Sequence, residues 1–210
     1  MYTLHYSPGS ASLVVHWLLI DLGAKHEVRR VDLAVGEHKQ PAYLALNPAG
    51  VVPTLQIDGV PVTEAAALVL HLADAHPGAG LAPEPGTIER ARLYQWTFFL
   101  ANTVQPAFRR WFYPGEAAGP DAADANKDGA RVAIEAAWDR IDAHLQAQGP
   151  YLLGERVSAA DFLLTMLMRW SRNMPRPATG WPSLQALATR MKARPSFRRL
   201  YEVEELTEWA

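Results

Sequence analysis

The chain has no cysteine among its 210 residues. That absence excludes disulfides, thiolate nucleophiles and zinc–thiolate sites together, so any sulfur chemistry here takes its sulfur from a ligand. An excess of charge is missing as well: 20 Lys and Arg stand against 22 Asp and Glu, a formal net charge of −2. Such a balance gives no electrostatic basis for nucleic acid or an acidic membrane surface as a partner. The apolar runs are too short and too interrupted to span a bilayer. Met1 leads into an alternating strand rather than a signal pattern, and the expectation is a soluble cytoplasmic protein. Repeats and low-complexity tracts are lacking. His5, His16, His26, His71, His76 and His144 show no metal-ligand spacing, and no metal is expected.

What is present is a globular composition, 49% hydrophobic and 20% charged, with seven Trp and seven Tyr to fill a sizeable core. Near the N-terminus, Tyr2 to Tyr6 alternates and is rich in β-formers, and Leu13 to Gly23 reads as a helix closed by a glycine. Between them runs Ser7-Pro8-Gly9-Ser10-Ala11-Ser12, a turn loaded with hydroxyls. A helix N-terminus presents unpaired backbone N–H groups and a partial positive charge, which suits an anion.

His26 to Leu33 reads as a second strand, at a spacing that fits a βαβ unit with parallel pairing. Gly36 to Leu46 is an irregular helical piece. Thr54 to Ile57 and Val60 to Val62 flank Asp58-Gly59, a two-residue hairpin signal. A helix over 65–75 stops at Pro77-Gly78. The Pro- and Gly-rich stretch 79–86 is the expected linker between a first domain, 1–78, and an all-helical second domain, 87–210. In the second part the periodicity predicts a helix over 87–112 bent at Pro106, another over 122–148, an apolar central helix from Ala159 opened by a Ser158…Asp161 capping box, and two helices begun by Pro182 and Pro195.

Pro53 lacks an N–H and ends a sheet ladder early. If Val52–Pro53 is cis, the Val52 backbone groups turn outward, where an extended peptide can pair with them.

This βαβ–α–ββ–α order followed by a helical domain resembles a cytosolic glutathione S-transferase, with a thioredoxin-like α/β first domain. The likeness is carried by Tyr6-Ser7-Pro8-Gly9-Ser10, by Gly36 to Leu44 running on to Asn47-Pro48, by Val51-Val52-Pro53-Thr54-Leu55, and by Ser158-Ala159-Ala160-Asp161. The first two look delta/theta-like. The general look is similar to bacterial beta-class members, which place a cysteine at the position of Ala11 and a histidine at that of Gln105; neither is present.

The resemblance implies a transferase that adds the thiolate of glutathione to small hydrophobic electrophiles. Alternatives on the same fold are a non-catalytic member that binds a ligand or a protein, and a glutathione-dependent isomerase or dehalogenase. Ser10 is the expected catalytic hydroxyl, because a hydroxyl donating to sulfur at a helix N-terminus favours the thiolate. Ser12 and Tyr6 are the reserves, and a purely capping Ser10 is the competing reading. Val52 and Pro53 would hold the cysteinyl unit, and His38, with Lys39 beside it, the glycine carboxylate. Glu64 and Ala65 would take the γ-glutamyl end. The family carries Glu-Ser there, so Ala65 leaves only its backbone N–H. Phe108 and Trp111 are the expected wall of an acceptor pocket, and Phe98 stands where some relatives carry a polar residue that reaches the partner subunit's glutathione. A homodimer is implied too.

Overall fold

The structure, a computed structural model, describes residues 1–209, and at Ala117, Ala118 and Pro120 the backbone alone. Its elements run β1 (Tyr2–Tyr6), α1 (Leu13–Asp21), β2 (His26–Arg30), a 3-10 turn (Glu37–Lys39), α2 (Pro41–Leu44), β3 (Thr54–Ile57), β4 (Val60–Val62) and α3 (Ala65–Ala75). Then follow α4 (Ile88–Phe99), a π-helical turn (Leu100–Val104), α5 (Gln105–Phe112), α6 (Gly115–Ala118), α7 (Ala123–Gln148), α8 (Ala159–Trp170), α9 (Pro182–Lys192) and α10 (Pro195–Val203). Among the described residues no helix is long and apolar enough to cross a membrane.

The chain divides into two compact units, 1–82 with 192–210, and 83–191. The first is built on a four-stranded sheet of order β2-β1-β3-β4. β1 pairs parallel with β2, Tyr6 opposite Arg30, and antiparallel with β3, His5 opposite Thr54; β3 pairs antiparallel with β4, Leu55 opposite Val62. This is the thioredoxin-like α/β arrangement the element order predicts. α1 is apolar nearly all round and buries every residue from Leu13 to Leu19. Each fully buried leucine contributes roughly 1.5–3 kcal/mol.

The last helix belongs to this first unit, whereas the sequence reading placed all of 87–210 in the second domain. The cause is specific docking on α1. The Arg194 guanidinium forks onto Asp21 at 3.0 and 2.8 Å, and the Ser196 hydroxyl donates to the same carboxylate. Trp17 Nε1 donates to Ser196 Oγ at 3.0 Å, and its ring meets Phe197 edge-on, centroids 5.1 Å apart.

The second unit is all helical. α8 runs through its middle, buried from Ala159 to Arg169. The capping box is present, and the buried Asp161 carboxylate accepts from the Ser158 N–H (2.7 Å), the Ser158 hydroxyl (2.8 Å) and the Leu152 N–H (2.9 Å). Burial outweighs these donors and pushes the Asp161 carboxyl up to about 6. The helix expected over 87–112 with a bend at Pro106 runs over 88–112 and carries a π-helical turn just before that proline. Pro106 has no N–H to offer and its ring crowds the carbonyl four residues back. The preceding turn widens, and Gln105 N–H bonds to the Leu100 carbonyl, five residues back.

Candidate functional site at one end of the sheet

The register determines which loops meet. β1 and β2 end, β3 begins and β4 ends at the same edge of the sheet. The Ser7–Ser12 turn, the 32–53 segment and Glu64 at the start of α3 therefore gather there. In α/β sheets this is the end where ligands bind. Ser10, Ser12, Tyr6, His38, Val52, Pro53, Glu64 and Ala65 all lie in this first unit. Phe108 and Trp111 belong to the second unit.

Within the turn, the three serines bond to one another. The Ser10 hydroxyl donates to the Ser7 carbonyl at 2.7 Å and lies 2.8 Å from Ser12 Oγ. Ser12 Oγ accepts the Ser7 N–H at 3.1 Å. Ser12 is fully buried and Ser10 only partly so. The Ser10 hydroxyl is thus engaged by Ser7 at the partly open side of the turn, while Ser12 is held inside it. Ser12, at the N-cap of α1, makes no side-chain cap bond, and Ser10 Oγ accepts the Ser12 N–H at 3.3 Å. Tyr6 is nearly buried, and its phenol makes no hydrogen bond among the described residues. Burial first, and then the charge of Glu204, hold this phenol above its usual pKa against the opposing pull of Arg30. Tyr6 is accordingly a protonated donor at neutral pH.

The turn also has a partner that sequence reasoning missed. Gly9 N–H donates to Glu204 Oε2 at 2.9 Å, and His16 Nδ1 lies 2.8 Å from Glu204 Oε1. Glu204 caps the C-terminal end of α10 and its side chain is fully buried. No local signal points to it, since its partners lie far off in sequence.

The Val52–Pro53 bond is cis. The Val52 backbone makes no hydrogen bond among the described residues, while the loop around it is tightly held. The Tyr43 hydroxyl donates to the Val51 carbonyl at 2.7 Å and lies 2.9 Å from Thr54 Oγ1. Asn47 Nδ2 donates to the same carbonyl at 2.8 Å. Burial keeps the Tyr43 phenol above its usual pKa, so it stays a donor. Lys39 donates to the Gly50 carbonyl at 2.8 Å and to Ala49 at 3.3 Å, which commits its ammonium to the loop. Gly50 sits at φ +58, and a Cβ there would lie 2.9 Å from the His38 carbonyl, so only glycine fits. His38 Nδ1 is buried with no partner, a nitrogen still in need of one.

Glu64 is exposed and sits at φ 70, ψ 102, a backbone region L-residues avoid. Its carboxylate has no partner among the described residues, and no side chain caps α3. Positive-φ backbone at an exposed helix start is the kind of strain a candidate site stores. An unpaired carboxylate beside uncapped helix amides complements an amino acid end group, ammonium to one and carboxylate to the other.

For Phe108 the acceptor-wall expectation needs correction. Phe108 is fully buried, its ring against Phe112, Trp138 and Trp170 at centroid distances of 5.9, 6.1 and 5.7 Å. An apolar helical face points to a core as readily as to a pocket, and here it is core. Trp111 is partly exposed, with Lys127 Nζ 4.7 Å from its ring centre. Both line a shallow groove of about 380 Å³ with Asp124, Asp128 and Arg131. Among the described residues no group of three or more His, Cys, Asp or Glu is placed to hold a metal.

A thioredoxin-like unit with a cis-proline loop and an uncapped α3 is joined here to an all-helical unit. The comparisons narrow this arrangement to a family. Residues 1–74 match the glutathione S-transferase N-terminal domain, and residues 101–195 the C-terminal domain. The chain is 31% identical over 204 residues to glutathione S-transferase GST-4.5 of Xanthomonas campestris pv. campestris, covering 97% of this chain and 98% of that one. It is 30% identical to a maleylacetoacetate isomerase of Rhizobium meliloti, over 93% of each. Among solved structures, a Sulfitobacter glutathione transferase homolog with bound glutathione superposes with a TM-score of 0.91 at 28% identity, covering 98% of this chain and 99% of that one. The chain belongs to the glutathione S-transferase family.

Proposed function

We propose that this protein binds glutathione at the sheet end of its first unit and transfers the thiolate to small hydrophobic electrophiles. The observation that carries the reading is the start of α3, where the unpaired Glu64 carboxylate adjoins uncapped amides that begin at Ala65. That pair suits the ammonium and carboxylate of a γ-glutamyl end. The open Val52 backbone beside Pro53 suits the cysteinyl amide, and the part-exposed His38 beside that loop suits the glycine carboxylate. The sulfur then comes to the Ser7–Ser12 turn, where Ser10 donates to it after rotating off the Ser7 carbonyl. Tyr6, protonated and unpartnered, is the second donor this geometry supports. The thiol proton leaves to solvent, the thiolate attacks the electrophilic carbon, and the leaving group departs with the bond electrons.

The test is conjugation of chlorodinitrobenzene by the wild type, Ser10→Ala, Tyr6→Phe and Ser12→Ala. Ser10→Ala is expected to lose about 10–100-fold in kcat, the loss of one charge-assisted hydrogen bond. Full activity in Ser10→Ala with loss in Tyr6→Phe moves the role to Tyr6. Calorimetry without detectable glutathione binding at millimolar ligand would support a non-catalytic binding member instead. The likeness to a maleylacetoacetate isomerase keeps glutathione-dependent isomerisation as a second reading, and a cis-to-trans diketo acid assay separates the two. The second unit exposes Ile88, Phe98 and Val132 on α4 and α7. Such exposed apolar side chains support the homodimer reading, which sedimentation checks.

A further inference from the structure

We infer that Glu204 is the positioning residue of the thiol-facing turn, acting through the Gly9 N–H. The inference rests on the reading of Ser7–Ser12 as that turn. Gly9 sits at φ +69, a conformation that glycine does not hold by itself. Its amide is tied to Glu204 Oε2 at 2.9 Å, and the other carboxylate oxygen is tied to His16 Nδ1 at 2.8 Å. His16 is buried in α1, with its ring against Tyr6 and His26, centroids 5.1 and 5.7 Å away. The His26 ring is itself fixed by the Ala24 carbonyl at 2.7 Å.

One buried carboxylate thus grips the tip of the turn and the middle of the helix that follows it. Gly9 precedes Ser10, so the Gly9 peptide sets where the Ser10 Oγ begins its rotation. Glu204 also stands near the Tyr6 phenol, the other candidate donor. Its backbone N–H is bonded to the Leu200 carbonyl at 2.9 Å, which seats it on α10. α10 is in turn pinned to α1 through Asp21, Arg194 and Ser196. The far end of the chain therefore sets the geometry of its first turn.

Reach and charge separate this role from general stabilisation. Glu204→Gln keeps the length, with Oε1 for Gly9 and Nε2 facing an imidazole that carries its proton on Nε2. Glu204→Asp keeps the charge but is one methylene too short to hold both partners. The experiment measures glutathione affinity by calorimetry, kcat and KM for chlorodinitrobenzene conjugation, and amide exchange at Gly9 and Ser10 by NMR. The Gln variant is expected within about threefold of the wild type, while Asp binds at least about tenfold more weakly and exchanges Gly9 at least about tenfold faster. Wild-type affinity and exchange in Asp, or a Gln variant as impaired as Asp, overturns the inference. If Asp does not fold, the wild-type Gly9 amide decides: protection comparable to the α1 amides supports the inference, and free exchange overturns it. Absence of glutathione binding in the wild type would defeat the glutathione reading alone, since Gly9 exchange is read without ligand.

Discussion

Glu204 and His16 stand 188 residues apart in the chain and 2.8 Å apart in the fold, both closed off from solvent. The pair joins the cap of the last helix to the centre of the first one, inside the unit that carries the candidate site. A carboxylate buried at such a position is held by donors on two sides, Gly9 and His16, which is how a buried charge becomes tolerable. The last helix is thereby part of the site's scaffold as well as of the unit's core.

The same docking predicts a stability effect away from the turn. Asp21 receives Arg194 bidentately and the Ser196 hydroxyl, with the Asp21 side chain 10% exposed and Arg194 28%. Asp21→Ala leaves a partly buried guanidinium without this partner. We expect a loss of about 2–4 kcal/mol, and a melting midpoint lower by roughly 5–12 °C for a chain of this size. Urea unfolding followed by tryptophan fluorescence measures it. A change below about 0.5 kcal/mol, the range of ordinary surface substitutions, contradicts the docking role.

Much of the architecture was legible because its signals are local. Pro182 and Pro195 open helices as first-turn prolines do, Asp58-Gly59 turns the hairpin, and Ser158 and Asp161 form the expected box. The contacts that arm the site were not legible. Glu204 reads as one more acid on a helical tail until Gly9 and His16 are beside it. The inward turn of the Ser10 hydroxyl depends on a carbonyl three residues back that sequence does not orient. Phe108 has the spacing of a helix face, and spacing alone does not distinguish a cleft from a core. The membership of α10 was missed for the same reason, because Asp21 and Arg194 announce nothing to each other across 173 residues.

Asp161 predicts a pH dependence with a definite sign. Its carboxyl is raised from 3.8 to about 6 in the folded chain, chiefly by burial. Between those values the native state holds a proton that the unfolded state has released. Stability from this group is full below about pH 4, falls as pH rises through 6, and is level above it. The span corresponds to about 3 kcal/mol. Asp161→Asn does not titrate, so the stability difference between wild type and Asn should shrink by that order between pH 4 and pH 7. Taking the difference cancels the other carboxylates. A pH-independent difference rules the assignment out.

Phe108 and Trp111 should behave oppositely despite being three residues apart. Phe108 is fully buried among aromatic rings, and Phe108→Ala is expected to cost about 3–5 kcal/mol through the cavity it leaves. Trp111 is partly exposed, with Lys127 over its ring, and Trp111→Ala should cost about 1 kcal/mol or less from that contact. Denaturant midpoints for the two variants check this, and equal costs would return Phe108 to the surface.

Glu64 offers the cleanest separation of function from folding. At φ 70 and ψ 102 it occupies backbone space that costs an L-residue about 1–3 kcal/mol and glycine almost nothing. A residue kept there for packing would be buried, and Glu64 is exposed with no partner for its carboxylate. Glu64→Gly should therefore leave stability equal or higher by up to about 1 kcal/mol. It should also weaken glutathione binding by about tenfold or more, because an ammonium loses its charged acceptor. Ala65→Ser makes the complementary change. A hydroxyl at the first residue of α3 adds one donor to a bound carboxylate, and about tenfold tighter binding is the expected gain. Calorimetry at fixed pH and salt, paired with urea unfolding, reads both variants. A Glu64→Gly protein that binds as well as the wild type would show that the strain at this position serves something other than the γ-glutamyl end.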